Sequence, residues 1–274
     1  MQKEKGGFAF TRCMLLKLRQ RQAKLYLIFL VVVLLGSICT YKTIDRIMTR
    51  EHDKSRMPVA SLQTLEARGV AITNVLDVGA HTGAWTQVFK EFALPEAKFF
   101  LIEGSNSHEP SLKASGFPYR ISLVGDSEKD VTFFKLCDTG GCSGGNSIFR
   151  EASDLGPKYG NVTVHMLTID QIVKEEGLGD IDMIKMDIQG AELLALKGAK
   201  DTLKTVKAIL LEVSTVPLYP EAPLMIEVIM FLETLGFKLF SVPDIMDRHG
   251  MTISFDAFFV RSALHEIWDK PPWN

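Results

Sequence analysis

From residue 61 onward, short apolar runs of strand length alternate with stretches whose apolar positions recur every three or four residues. The runs Asn74–Val78, Lys98–Ile102, Tyr119–Val124, Val131–Leu136, Val162–Leu167, Met183–Met186, Ala208–Val213, Phe237–Val242 and Ala257–Val260 predict strands. Between them, Ser61–Arg68, Ala84–Phe92, Ser107–Ser115, Ile169–Glu175, Ala191–Lys197 and Leu224–Leu235 predict helices, two of them stopped by Gly69 and Pro95. Strands separated by helices of this length imply βαβ units. The expected architecture is therefore α/β, a doubly wound and mostly parallel sheet with helices on both faces. The last two strands are expected to be joined by a loop holding Pro243, Asp244 and Gly250. No internal repeat appears, and residues 61–274 read as one domain.

The pattern changes before residue 61. Leu25 to Tyr41, LYLIFLVVVLLGSICTY, contains no charged side chain. Its 17 residues, at ~1.5 Å each, lie at the short end of what crosses a ~30 Å hydrocarbon layer as a helix. A basic tail, residues 1–24, precedes it with seven Lys/Arg against Glu4 alone, and a polar stem, residues 42–60, follows. We read 25–41 as a retained single-pass transmembrane signal-anchor. A cleaved signal peptide and a core helix remain open, although the basic segment is long and no A-x-A-like site follows the run. Seven cations before the run, against Lys42, Arg46, Arg50, Lys54 and Arg56 after it, lean toward a cytoplasmic N-terminus. The domain is then expected to be lumenal (Golgi or endoplasmic reticulum) or extracytoplasmic. Asn161-Val162-Thr163, a glycosylation acceptor triplet, agrees with that side of the membrane. Cys137 and Cys142 form either a disulfide or two free thiols.

Composition narrows the partners. Hydrophobic residues make up 46% and charged residues 23%, enough for a core that needs no metal or disulfide. A net charge of -2 offers no global attraction to a polyanion, so nucleic acid is not an expected partner.

The candidate chemistry sits at the expected strand tips. The first strand runs into Asp77-Val78-Gly79-Ala80-His81-Thr82-Gly83, a Gly-containing turn where doubly wound folds bind nucleotides. Glu103 ends the next strand, 20 residues beyond Gly83, and is placed to accept hydrogen bonds from two ribose hydroxyls. The spacing D-x-G-x-x-x-G lacks the G-x-G-x-x-G that admits a pyrophosphate, which argues against a nicotinamide-dependent oxidoreductase. An acid there suits a ligand with an ammonium and a sulfonium, as in S-adenosylmethionine. A second constellation, Ile181 to Glu192, sets Asp187 at the end of a core strand and Glu192 in the first turn of the following helix. Glu192 either complements the helix dipole or faces an acceptor. The Gly-rich loop 140–147 lacks the lysine of a P-loop, and Asp170 is expected to cap the helix that follows it. Glu212 either reaches the crevice edge or pairs with a surface Lys, and Trp268 and Trp273 either cover an apolar edge or sit at a membrane interface.

Taken in order, NVLDVGAHTGAWTQVF, KFFLIEGSN, LTIDQI, DMIKMDIQGAELLALKGA and ILLEVS resemble the FkbM family of methyltransferases over residues 61–262. The resemblance implies a seven-stranded class I methyltransferase fold, Rossmann-like, with S-adenosyl-L-methionine as cofactor. It implies O-methylation of a hydroxyl, on a sugar, glycan, glycolipid or other small-molecule acceptor. Carried onto this chain, it assigns Asp77, Gly79, Ala80 and Gly83 to the methionine end of the cofactor, Glu103 to the ribose and Asp126 to the adenine. It assigns Asp187 and Glu192 to the acceptor. Asp187 is the first candidate for the base that takes the hydroxyl proton, with Glu192 orienting or sharing it and His81 a weaker third. No metal is assigned. Gly104-Ser105 stands where the family usually has a proline after the acid. Acceptor specificity is expected in the loops 137–161 and 243–256. The alternative of another class is a non-catalytic, membrane-tethered binding protein that keeps the fold.

Overall fold

A computed structural model describes residues 58–138, 141–142, 145–150 and 159–269. The anchor 25–41, nearly all of the stem, and Trp273 lie outside the described residues. Among the described residues no helix is long and apolar enough to cross a membrane.

The chain opens with helix α1 (Val59–Ala67), followed by β1 (Asn74–Val78), α2 (Ala84–Phe92) and β2 (Lys98–Glu103). A 3₁₀ turn (Asn106–His108) leads into α3 (Glu109–Ser115), then β3 (Tyr119–Ile121), β4 (Leu123–Val124), β5 (Lys129–Asp138), β6 (Gly141–Cys142) and β7 (Tyr159–Leu167). The second half runs α4 (Ile169–Glu175), β8 (Met183–Met186), α5 (Glu192–Lys197), a 3₁₀ turn (Thr202–Lys204), β9 (Ala208–Ser214), α6 (Met225–Thr234), β10 (Phe237–Arg248), β11 (Met251–Arg261) and α7 (His265–Trp268).

Seven strands form one sheet in the order β10-β11-β9-β8-β1-β2-β3. The pairs among β9, β8, β1, β2 and β3 are parallel, while β11 runs antiparallel to both β9 and β10. Strand order reverses between β1 and β8, which makes their carboxyl ends the natural crevice. Alternation builds a core on each face, because successive side chains of a strand point oppositely. Leu76, Val78, Ile184, Met186, Ile209, Leu211 and Phe259 pack on one side. Val75, Met183, Leu210, Phe258 and Val260 pack on the other.

Three expectations change. The strand expected over 119–124 divides at Ser122: β3 joins the large sheet beside β2, whereas β4 pairs with β7 in a second sheet, β4-β7-β5-β6. Ser122 makes the break, its N–H donating to the Glu103 carbonyl at 2.9 Å. The loop expected at 243–256 is instead mostly strand, a long hairpin turning at His249-Gly250. Both turn residues have positive φ, 53° and 78°, the geometry that matches strand twist in a two-residue hairpin. Pro243 is tolerated because β10 is an edge strand whose register shifts between Ser241 and Asp244. Asp170 does not cap its own helix. Thr168 does, in a capping box with Gln171, and Asp170 accepts from the backbone N–H groups of Asp201 and Thr202 and from the Thr202 hydroxyl. Elsewhere Asn161 lies within β7, and Cys137 and Cys142 are cross-strand partners in the backbone register of β5 and β6. Trp268 covers an apolar edge, its ring against Phe240 and its indole N–H on the Arg261 carbonyl.

Candidate active site

Two cavities open at the strand tips, the first at the carboxyl ends of β1, β2 and β8 and the second beside the ends of β8 and β9 and the β10–β11 hairpin. The first, about 350 Å³, is lined by the β1 turn from Val78 to Thr82, by Ile102, Glu103 and His108, by Ser122–Val124 and Phe133, and by Lys185 and Asp187. The second, about 370 Å³, is lined by Val88, Gln189, Glu212, Asp244, Met246, Ser254, Phe255 and Asp256. Ala84, Trp85 and Asp187 belong to both walls.

The turn after β1 has its shape for a steric reason. Gly79 has φ +79°, and a Cβ there would lie 1.9 Å from the Asp187 carbonyl oxygen. No L side chain fits that approach of β1 to the end of β8. Past it, the backbone N–H of His81 donates to Glu103 Oε2 and that of Ser105 to Oε1, each at 2.8 Å. Glu103 therefore clamps the turn to its own loop. Each oxygen keeps lone-pair capacity toward the cavity, because a carboxylate accepts about four hydrogen bonds.

Asp77 does not reach the cavity. It is fully buried, and its Oδ2 accepts from the Thr86 hydroxyl. Its Oδ1 has no hydrogen bond of good geometry but lies 3.2 Å from Lys185 Nζ, an ion pair. Lys185 Nζ also donates to the Gly79 carbonyl at 3.1 Å and lies 5.5 Å from the Trp85 ring centroid. Burial alone would lower the Lys185 pKa, but the Asp77 and Asp187 carboxylates outweigh it and raise it. Charge pairing turns the expected ligand acid into a buried brace. Lys185, which sequence reasoning passed over as one polar residue in an apolar strand, occupies the wall instead.

Gly83 is the left-handed N-cap of α2 and lies outside both walls. Asp126 is exposed two residues beyond the wall, 2.9 Å from Lys129 Nζ, whose hydrogen bond holds its carboxyl below the usual range. Ser122–Val124 and Phe133 line the first cavity, whereas Asp126 does not. Glu192 is buried, and its Oε1 accepts from the Ile188 N–H at 2.9 Å. Burial, with Asp187 and Glu212 nearby, pushes it up to about 7 against the lowering by backbone hydrogen bonds. It braces the loop carrying Asp187 and contributes to neither wall. His81 is exposed with φ 52°, its ring 3.9 Å (centroid to centroid) from that of His108. Gly79, Ala80, His81, Glu103 and Asp187 are the sequence-derived candidates that the fold brings to the first cavity.

Around Asp187 the second cavity gathers acids that the sequence did not mark as a group. Gln189 Nε2 donates to Asp187 Oδ1 at 2.8 Å, and the Ser254 hydroxyl donates to Glu212 Oε1 at 2.7 Å. Burial and then Asp187 raise the Glu212 pKa. Asp256 is pushed up to about 7 by burial first and then by Asp187, Glu212 and Asp244.

A family model for the FkbM methyltransferase domain matches residues 77–239, more than half of the chain. The chain belongs to the FkbM methyltransferase family. The matched span contains both expected constellations, from the turn after β1 to the start of β10. Among solved structures, an FkbM methyltransferase from Methylobacillus flagellatus KT is similar at 15% identity and a TM-score of 0.46. That alignment covers 69% of this chain and 43% of that one, so this chain spans less than half the length of that relative. The magnesium protoporphyrin IX methyltransferase of Synechocystis PCC 6803, solved with bound S-adenosylmethionine, is similar at 12% identity and a TM-score of 0.43, over 79% of this chain and 81% of its own. No curated protein sequence matches the chain.

Proposed function

We propose that the chain is an S-adenosylmethionine-dependent O-methyltransferase that binds the donor in the first cavity and a hydroxyl-bearing acceptor, a sugar, glycan or glycolipid, in the second. The observation that carries this reading is that Asp187 stands in the wall of both cavities. Methyl transfer to oxygen is an in-line displacement, so a donor cavity and an acceptor cavity must meet at one point with a base beside it.

The first cavity fits the cofactor. Its volume lies in the range of small-molecule sites, and it combines an apolar part with a few convergent polar groups. Ile102, Leu123, Val124 and Phe133 suit the faces of a base, and Glu103 suits ribose hydroxyls. The bound cofactor would supply an activated methyl group on sulfonium. The chain's own residues do the rest. Trp85 and Ala84 form the shared partition, and Asp187 takes the proton that leaves the acceptor oxygen. Glu212 and Asp256 in the same wall hold the acceptor's other hydroxyls, and Asp256, pushed up to about 7, shares the proton. The apolar run 25–41 behind its basic tail supports membrane anchoring with a cytoplasmic N-terminus and a domain on the lumenal or extracytoplasmic side.

Calorimetric titration of the full chain with S-adenosylhomocysteine tests the donor site, and labelled S-adenosylmethionine with a panel of sugars and glycolipids tests the acceptor. Asp187→Asn should lower kcat about 10²–10⁴-fold with a far smaller change in S-adenosylhomocysteine affinity. A folded chain that binds neither cofactor form would end this reading. Methyl groups found on nitrogen or carbon would overturn the hydroxyl assignment.

A further inference from the structure

His108 lines the first cavity, and its imidazole Nε2 is satisfied by no protein group. His108 is 8% exposed, and its Nε2 is buried without a hydrogen-bond partner. Buried polar groups are nearly always paired, and an unpaired one on a residue that lines a cavity calls for a partner from outside the chain. Its position is set by the loop that Glu103 organises. Glu103 Oε1 holds the Ser105 N–H, Ser105 starts the 3₁₀ turn, and His108 closes it with its own N–H on the Ser105 carbonyl at 3.2 Å. The ring is thereby fixed beside the ribose-side carboxylate. Burial first, and His81 second, lower its pKa from 6.5 against a smaller opposing effect of Glu103, so the ring is neutral at pH 7. A neutral imidazole offers one donor and one acceptor nitrogen, and a hydroxyl matches either.

We propose that His108 recognises the nucleoside of the methyl donor, its Nε2 forming a hydrogen bond with one ribose hydroxyl while Glu103 holds the ribose beside it; this rests on the reading of the first cavity as the donor site. The alternatives within the cavity are less suited. The wall formed by Leu123, Val124 and Phe133 presents carbon to a base, and the end formed by Lys185 and Asp187 already carries charge.

The test is calorimetric titration of the full chain and its variants with S-adenosylhomocysteine and with its 2′-deoxy and 3′-deoxy analogues. His108→Phe keeps a ring of similar volume and removes the nitrogen, and thermal melts report whether it folds. The wild type should lose roughly tenfold in affinity for one deoxy analogue, and His108→Phe should bind S-adenosylhomocysteine roughly tenfold more weakly while no longer distinguishing that analogue. Should the Phe variant not fold, His108→Ala carries the same comparison. Unchanged affinity in the variant overturns the proposal, and so does an equal loss for all three ligands, which would mark His108 as packing only. A folded wild type that binds none of the three overturns the donor-site reading itself.

Discussion

A general base works only when deprotonated, and Asp256, pushed up to about 7, changes state across the neutral range. Its neighbours Asp187, Glu212 and Asp244 disfavour a further negative charge, so the cavity retains a proton that isolated carboxyls would have lost. If that proton must leave before the acceptor can be deprotonated, kcat rises with pH, from low values below about 7 to a plateau above it. Asp256→Asn should remove this rising limb, while S-adenosylhomocysteine affinity stays near wild type because Asp256 lies only in the second wall. A pH–rate series on both proteins decides it; a limb that persists in the variant assigns the titration elsewhere. Glu192, also near 7, is no rival on geometry, since its carboxylate is committed to the Ile188 N–H. In the linear chain Asp187 ranked ahead of Glu192 as the base, but both were placed beside the acceptor, and only Asp187 lines the cavities. Burial separated them.

At the level of elements, β1 and β8 are adjacent parallel strands whose register sets Asp77 against Lys185. Both side chains are buried, and their ion pair joins the two strands at the mouth of the crevice. Removing one partner leaves the other charge in low dielectric. Lys185→Met should therefore destabilise the domain by about 3–5 kcal/mol, and the double change Asp77→Asn/Lys185→Met should recover much of the loss. Denaturant unfolding of the three variants measures it; a double variant as unstable as the single one would show that the brace acts through something other than charge. Local pattern predicted the bounds of β1, α2, α4 and β8 as they stand, because each is a compact run with its own start and stop signals. It joined β3 to β4, because a break that sends one strand into two sheets depends on partners far along the chain. It also placed a loop at 243–256, reading Pro and Gly as breakers where an edge hairpin accommodates both.

Across the whole molecule, the described residues form one α/β layer system with its crevice at the strand tips, and the charged and apolar segments before residue 57 supply the expectation of an anchor. On expression, the full chain should sediment with membranes, resist an alkaline carbonate wash and dissolve only in detergent, with the basic tail still present by mass spectrometry. A mature chain that lacks the first 41 or so residues would instead identify a cleaved signal. The sequence by itself determined the fold class, the family motifs and the positions of Gly79, Glu103 and Asp187, because periodicity, turn chemistry and motif spacing are local properties that survive in a linear chain. Only the tertiary structure decided which acids face a cavity and which are spent inside the fold. Asp77 is sequestered by a lysine 108 positions away, and Asp256 joins Asp187 from the last strand. Desolvation and pairing, which set whether a carboxylate is brace, base or ligand, exist only once distant segments are brought into contact.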